Sequence, residues 1–178
     1  MREPSGRPAP GEYADYALDD IAAVPGDDAI AALAALGPET AALFRSLAPV
    51  AERGLSYAPG KWPLKVVLGH LIDDERIFAY RILCLARGET QELPGFDQER
   101  YAEAGGFAAR ALESLLAEYA EVRAATLALL RHLPEGGWTR RGRVNGYEAS
   151  VRGLAFHIAG HELHHLRIVR ERYVALAG

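Results

Sequence analysis

Between about Ala108 and Leu133, apolar side chains recur at positions 112, 115, 116, 119, 122, 129, 130 and 133, with Thr126 in the same register. That spacing lines one face of a helix rather than one face of a strand. Pro134-Glu-Gly-Gly closes the run, because proline cannot continue the helical hydrogen bonding. Three more segments carry comparable start and stop signals. Pro25-Gly-Asp-Asp offers acids that cap a helix of Ala and Leu, interrupted or kinked at Gly37-Pro38 and resuming to about Leu47. A second helix opens at Pro63, a residue suited to the first helical position, and stops at Arg87-Gly88. The last is capped by Ser150 and runs to about Ala175. Four long amphipathic segments with no convincing run of strands predict an all-α protein built as a helical bundle. Of the linkers, Pro94-Gly-Phe-Asp-Gln-Glu reads as loop, and Thr139 to Glu148 holds a turn or small hairpin at Asn145-Gly146.

A chain of 178 residues is long enough to bury one core without disulfides or metals as staples. Pro4, Gly6, Pro8, Pro10 and Gly11 make residues 1–11 a flexible tail, which leaves 12–178 as a single bundle domain. The net charge of -4 opposes nucleic-acid binding, which needs clustered Lys and Arg. Arg140-Arg141-Gly-Arg143 is too short to reverse that and reads as a solvated loop. No stretch reaches the ~20 apolar residues of a membrane helix, and Met-Arg-Glu-Pro-Ser-Gly lacks a signal peptide's apolar run. A cytoplasmic protein is therefore expected. Cys84, the one cysteine, permits no internal disulfide and reads as a buried small hydrophobe.

Near the end of the chain stands His157-Ile-Ala-Gly-His161-Glu-Leu-His164-His165, with four of the six histidines. Side chains four apart on a helix point the same way, so His157/His161 and His161/His165 can each close on one metal ion. With His157 set at zero, Leu154, Ile158, Val151 and Val169 fall at roughly 60° to 120°, His161 near 40° and His165 near 80°. Burial therefore favours His161 and His165, with His157 and His164 at the margin of that face. Two histidines hold a metal weakly, so a third ligand is expected from another helix. His132, at a frayed helix end, reads as a surface residue. His70 forms a narrow polar stripe with Asp74 and Arg81, flanked by Val67, Phe78 and Leu85 on one side and Val66, Ile77 and Cys84 on the other. Polar groups so bracketed need partners. A metal at His70 supplies them, with Asp74 orienting an imidazole or pairing with Arg81 in preference to serving as a fourth ligand.

His161-Glu162-Leu-His-His165 also satisfies the spacing HExxH. Its glutamate, however, lies about 100° round the helix from His161, on the shoulder of the apolar face, which disfavours a zincin protease. Arg123, set among the apolar positions of its helix, reads as the structural partner of an inward acid such as Glu75. Trp62, Tyr80, Phe96 and Arg81 are candidate pocket walls, Trp62 chiefly as packing at the helix entrance.

The chain resembles the DinB/YfiT-like four-helix-bundle proteins. The resemblance lies in Pro59-Gly-Lys-Trp-Pro-Leu-Lys-Val-Val-Leu-Gly-His70-Leu-Ile-Asp-Asp-Glu-Arg76 and Gly160-His161-Glu-Leu-His-His165-Leu-Arg-Ile-Val-Arg-Glu-Arg-Tyr173. Pro94-Gly-Phe-Asp and Arg123-Ala-Ala-Thr-Leu are similar to that family too, so the likeness runs from about Tyr13 onward. Pro63 departs from the pattern, in which Ser or Thr more often follows the tryptophan. The resemblance implies a metal triad of His70, His161 and His165, a divalent ion such as zinc or nickel, and a homodimer. It also implies either a thiol S-transferase using a low-molecular-weight thiol or a metal-dependent hydrolase, each acting on a small molecule. Three imidazoles leave positions for water or substrate, the mark of a catalytic site. The competing expectation is a non-enzymatic stress-response or interaction protein that the metal merely stabilises.

Overall fold

Residues 5–177 are described by a computed structural model. Along them run α1 (Leu18–Ala23), α2 (Ala29–Ser46), α3 (Ala48–Glu52), α4 (Leu64–Ala86), α5 (Gln98–Ala104), α6 (Leu112–Arg131), the strands β1 (Arg141–Val144) and β2 (Tyr147–Ser150), and α7 (Val151–Ile168). The last helix continues through a π turn at Val169–Tyr173. The four long helices form the bundle: α4 packs on α6 and α7, and α2 packs on the same two from the other side. No helix among the described residues is long and apolar enough to cross a membrane.

Local chemistry accounts for most boundaries. The Asp28 carboxylate accepts from the Ile30 N–H at 3.1 Å and the Ser150 hydroxyl from the Gly153 N–H at 3.0 Å, opening α2 and α7. Pro63 is the cap of α4 rather than its first helical residue. Helix α2 runs unbroken through Pro38, against the expected interruption. Leu33 and Leu36 before the proline and Thr40 and Phe44 after it are all buried, and that packing carries the helix across one missing hydrogen bond.

Helix α6 starts at Leu112 rather than Ala108, because Phe107–Ala109 forms a 3-10 turn. Phe107 drives its ring into a socket over Gly69, where any Cβ would lie 2.1 Å from the ring. The expected loop after Pro94 contains α5, capped by Asp97, which accepts from the Glu99 and Arg100 N–H groups. Cys84 is half-buried.

The hairpin forms at Asn145-Gly146, whose φ angles of 48° and 85° are those of a type I′ turn. Arg141 and Arg143 are exposed residues of its first strand rather than of a loop. The hairpin is stitched to the loop after α4: the Leu93 N–H donates to Arg143 O and the Asn145 N–H to Leu93 O, each at 2.9 Å. The Gly146 N–H reaches Glu92 Oε1 at 2.7 Å.

The arm expected to be flexible lies against the bundle from Ser5 onward; residues 1–4 fall outside the described ones. Ser5 is buried, donating to Asp27 O and accepting from the Ala29 N–H. The Arg7 guanidinium donates to the carbonyls of Ile21, Ala22, Val24 and Gly26, satisfying the C-terminal end of α1. Further along, the buried Glu12 pairs with Arg152 at 2.8 Å. Two glycines of α7 admit this layer: a Cβ on Gly153 would lie 2.0 Å from Glu12 O, and one on Gly160 2.5 Å from Asp20 O. We expect Gly160→Ala to destabilise the protein by about 1–3 kcal/mol through overpacking against backbone. Urea unfolding reads this, and an unchanged midpoint would disprove the close contact.

At the bundle centre the expected Arg123–Glu75 pair has a third member, Glu162. Arg123 Nε and Nη2 bond Glu75 at 2.9–3.1 Å, Nη2 reaches Glu162 at 2.5 Å, and Nη1 donates to Leu33 O at 2.7 Å. Glu162 also accepts from the hydroxyls of Thr40 and Tyr119. The network thus joins α2, α4, α6 and α7, and each of its charged side chains is buried.

Candidate metal centre

Helix α7 carries His161 and His165 one turn apart, and its packing on α4 brings His70 to meet them. The His161 Nε2 lies 3.0 Å from His70 Nε2 and 3.1 Å from His165 Nε2. One nitrogen from each of the three rings lies within 4.8 Å of the others. Nitrogens bound at about 2.0–2.1 Å to one tetrahedral ion stand roughly 3.3 Å apart, so the donor set fits a divalent ion with little adjustment.

Electrostatics leave the lone pairs of His70 and His165 available. Burial, with the neighbouring His161 charge, pushes His70 down to about 4. Burial also takes His165 down to about 2, assisted by His161 and His70. Both rings are therefore neutral at neutral pH. Burial acts in the same direction on His161, but the Asp74 carboxylate outweighs it and raises that pKa. For Asp74, burial alone would favour the neutral acid, yet His161, His157 and His70 hold the carboxyl well below its ordinary range. Asp74 Oδ2 stands 3.2 Å from His161 Nδ1. A proton held on Nδ1 by that carboxylate leaves Nε2 as the bare donor.

The remaining histidines fall differently. His157, expected at the margin, is buried: its ring stacks on Phe78 at 3.9 Å between centroids, with Nε2 3.9 Å from Asp74 Oδ2. The helix angle placed it at an edge of α7, but Tyr16 from the N-terminal layer covers that edge, its ring 6.1 Å from the imidazole. Burial lowers its pKa to about 4. His164 is half-buried and its Nδ1 lies 3.1 Å from Asp20 Oδ1 on α1. His132 is exposed, with a ring nitrogen 2.8 Å from Ala128 O.

Arg81 does not pair with Asp74; its Nη2 donates to Pro94 O at 2.8 Å and its guanidinium lies over the Phe78 ring at 4.7 Å. Asp74 is turned toward the imidazoles instead. Glu162, the glutamate of the HExxH spacing, points into the Arg123 network and away from any role as a base.

Two clefts reach the triad. One, of about 200 Å³, is lined by Tyr57, Lys61, Trp62, Glu99 and His165. There the Trp62 ring stands 4.8 Å from that of His70 and its indole N–H donates to Glu99 at 3.1 Å. The other, of about 300 Å³, is lined by Tyr16, Asp74, Arg81, Phe96, Asn145 and His161 among others. Gln98 borders both. Of the candidate wall residues, Trp62, Phe96 and Arg81 border a cleft, whereas Tyr80 is 57% exposed and borders neither. Tyr16, Gln98 and Asn145 were not foreseen; they come from separate loops, and no periodicity links them to the histidines.

The family described as the DinB superfamily matches residues 32–169. No curated protein matches the chain. Among solved structures, YfiT from Bacillus subtilis is described as "a probable metal-dependent hydrolase with an unusual four-helix bundle topology". It superposes with a TM-score of 0.66 over 93% of this chain and 91% of its own, at 18% identity. Likeness at that identity is one of fold.

Proposed function

Because the chain belongs to the DinB superfamily, we propose that it is a metal-dependent enzyme acting on a small molecule, of the thiol S-transferase type. In this reading His70, His161 and His165 hold one divalent ion, zinc or nickel. The observation that carries the proposal is the convergence of three imidazole nitrogens, with His165 lining one cleft and His161 another. A bound ion supplies Lewis acidity, lowering the pKa of a thiol or water that reaches it. Asp74 fixes the tautomer and direction of His161. Trp62 stands beside His70, its ring tilted at 52°, and forms one wall of the cleft that His165 lines. Two clefts suit a reaction of two substrates, a low-molecular-weight thiol and an acceptor, better than the sealed site of a protein that metal merely stabilises. The hydrolase reading takes its support from the fold shared with YfiT, with water in place of the thiol.

The test is turnover by metal-loaded protein of a panel of small thiols with 1-chloro-2,4-dinitrobenzene. Saturable thioether formation above background, lost on chelation and regained with metal, is the expected result. Ester or amide hydrolysis without thioether formation would replace the transferase by the hydrolase, and neither activity would end the enzymatic reading. A homodimer belongs to the proposal on the family resemblance alone; sedimentation showing only monomer would remove it.

A further inference from the structure

Arg81 is 3% exposed, and a buried cation is costly unless it is paired. The chain's other deeply buried arginine, Arg123, has two carboxylates to itself. Among the described residues Arg81 has none. A guanidinium carries five N–H donors, and the structure gives a protein acceptor to Nη2 alone, at Pro94 O. No buried side-chain nitrogen among the described residues lacks a partner, so the remaining Arg81 nitrogens reach accessible space. The guanidinium lies over the ring of Phe78, at 4.7 Å, and that of Phe96, at 5.8 Å. Aromatic faces beside a guanidinium leave its N–H edge for a ligand.

Arg81 borders the cleft of about 300 Å³ that also contains Asp74 and His161. Asn145 and Gln98 add neutral polar groups to that lining; Phe78, Phe96 and Tyr16 add aromatic surface. An apolar wall with a few convergent polar groups is how small-molecule sites are built, and this volume lies at their small end. The one carboxylate in the lining, Asp74, is engaged by His161.

We propose that Arg81 anchors the substrate: the cleft takes a small aromatic or otherwise apolar carboxylate, its carboxylate on the Arg81 guanidinium and its reacting end toward His161. The inference rests on the reading of the triad as a reactive metal site, and it adds the substrate class. A two-toothed guanidinium–carboxylate pair in a partly desolvated cleft sets the discrimination between an acid and its neutral amide.

The experiment titrates phenylacetate and phenylacetamide calorimetrically into zinc-loaded wild type and into Arg81→Gln, which keeps an N–H donor for Pro94 O but no charge. Wild type is expected to prefer the acid by about tenfold or more. The variant should lose that preference while binding the amide as before. Equal binding of acid and amide by wild type overturns the proposal, as does a preference that survives in Arg81→Gln. A preference abolished by stripping zinc but untouched by Arg81→Gln also overturns it, since the carboxylate would then sit on the metal. Arginine side-chain NMR of wild type gives a readout independent of the variant's folding: the Arg81 N–H signals should move on adding phenylacetate, and unmoved signals refute the contact. Failure of the protein to bind zinc, with an Arg81-dependent preference intact, would sink the metal reading and leave the anchor standing.

Discussion

Replacing His161 by alanine is expected to strip the protein of bound divalent metal, from about one ion per chain to background. The three-to-one geometry makes this ring decisive: its Nε2 stands between those of His70 and His165, and the two that remain form a clip too weak to survive dialysis. Asp74→Asn should weaken binding by about 10–100-fold without abolishing it, because the carboxylate orients His161 rather than completing the site. His164→Ala should keep its full complement, since that ring is directed to Asp20. Metal analysis after dialysis separates the three outcomes. Stoichiometric metal in His161→Ala would end the assignment of the triad.

A second large effect is expected far from any ligand. Arg123→Met removes the cation shared by Glu75 and Glu162 and leaves two buried carboxylates facing each other. Breaking a buried pair by removing one partner costs about 3–5 kcal/mol, against a total stability of about 5–15 kcal/mol for a domain. Arg45→Ala, at a pair whose side chains are 55% and 68% exposed, should stay within about 0.5 kcal/mol. Urea unfolding of both variants gives the comparison. A loss below about 1 kcal/mol in Arg123→Met would show that the network is not desolvated as its burial indicates.

What could be read in the chain was what repeats at short range. The apolar period of α6 and the Asn145-Gly146 hairpin follow from neighbours in sequence, and Arg123 and Glu75 each sit on the inward face of their own helix, which makes them partners. What escaped depends on surfaces brought from elsewhere. His157 looks marginal on a helix drawn alone, and Phe78 of α4 together with the N-terminal layer carrying Tyr16 covers it. Glu162 sat at the right angle to be inward, yet nothing in α7 announces that Thr40 and Tyr119 wait for it. Arg81 and Asp74 share a stripe on α4, and of the two partners open to Asp74, an imidazole or Arg81, the structure has the imidazole of His161; the arginine turns to Pro94 O. Asp97 has the chemistry of a cap, but the seven residues of α5 are too few to show an apolar period.

The seam between the hairpin and the loop after α4 separates two kinds of inheritance. The histidines stand on helices locked by the Arg123 network, whereas Phe96, Gln98 and Asn145 come from the loop, the start of α5 and the hairpin turn, and the loop and hairpin share the backbone bonds of Leu93 and Asn145. A lengthened turn or an inserted loop residue would reshape the chamber while leaving the imidazoles where they are. Change at that seam would alter what the chamber admits while the three rings keep their spacing.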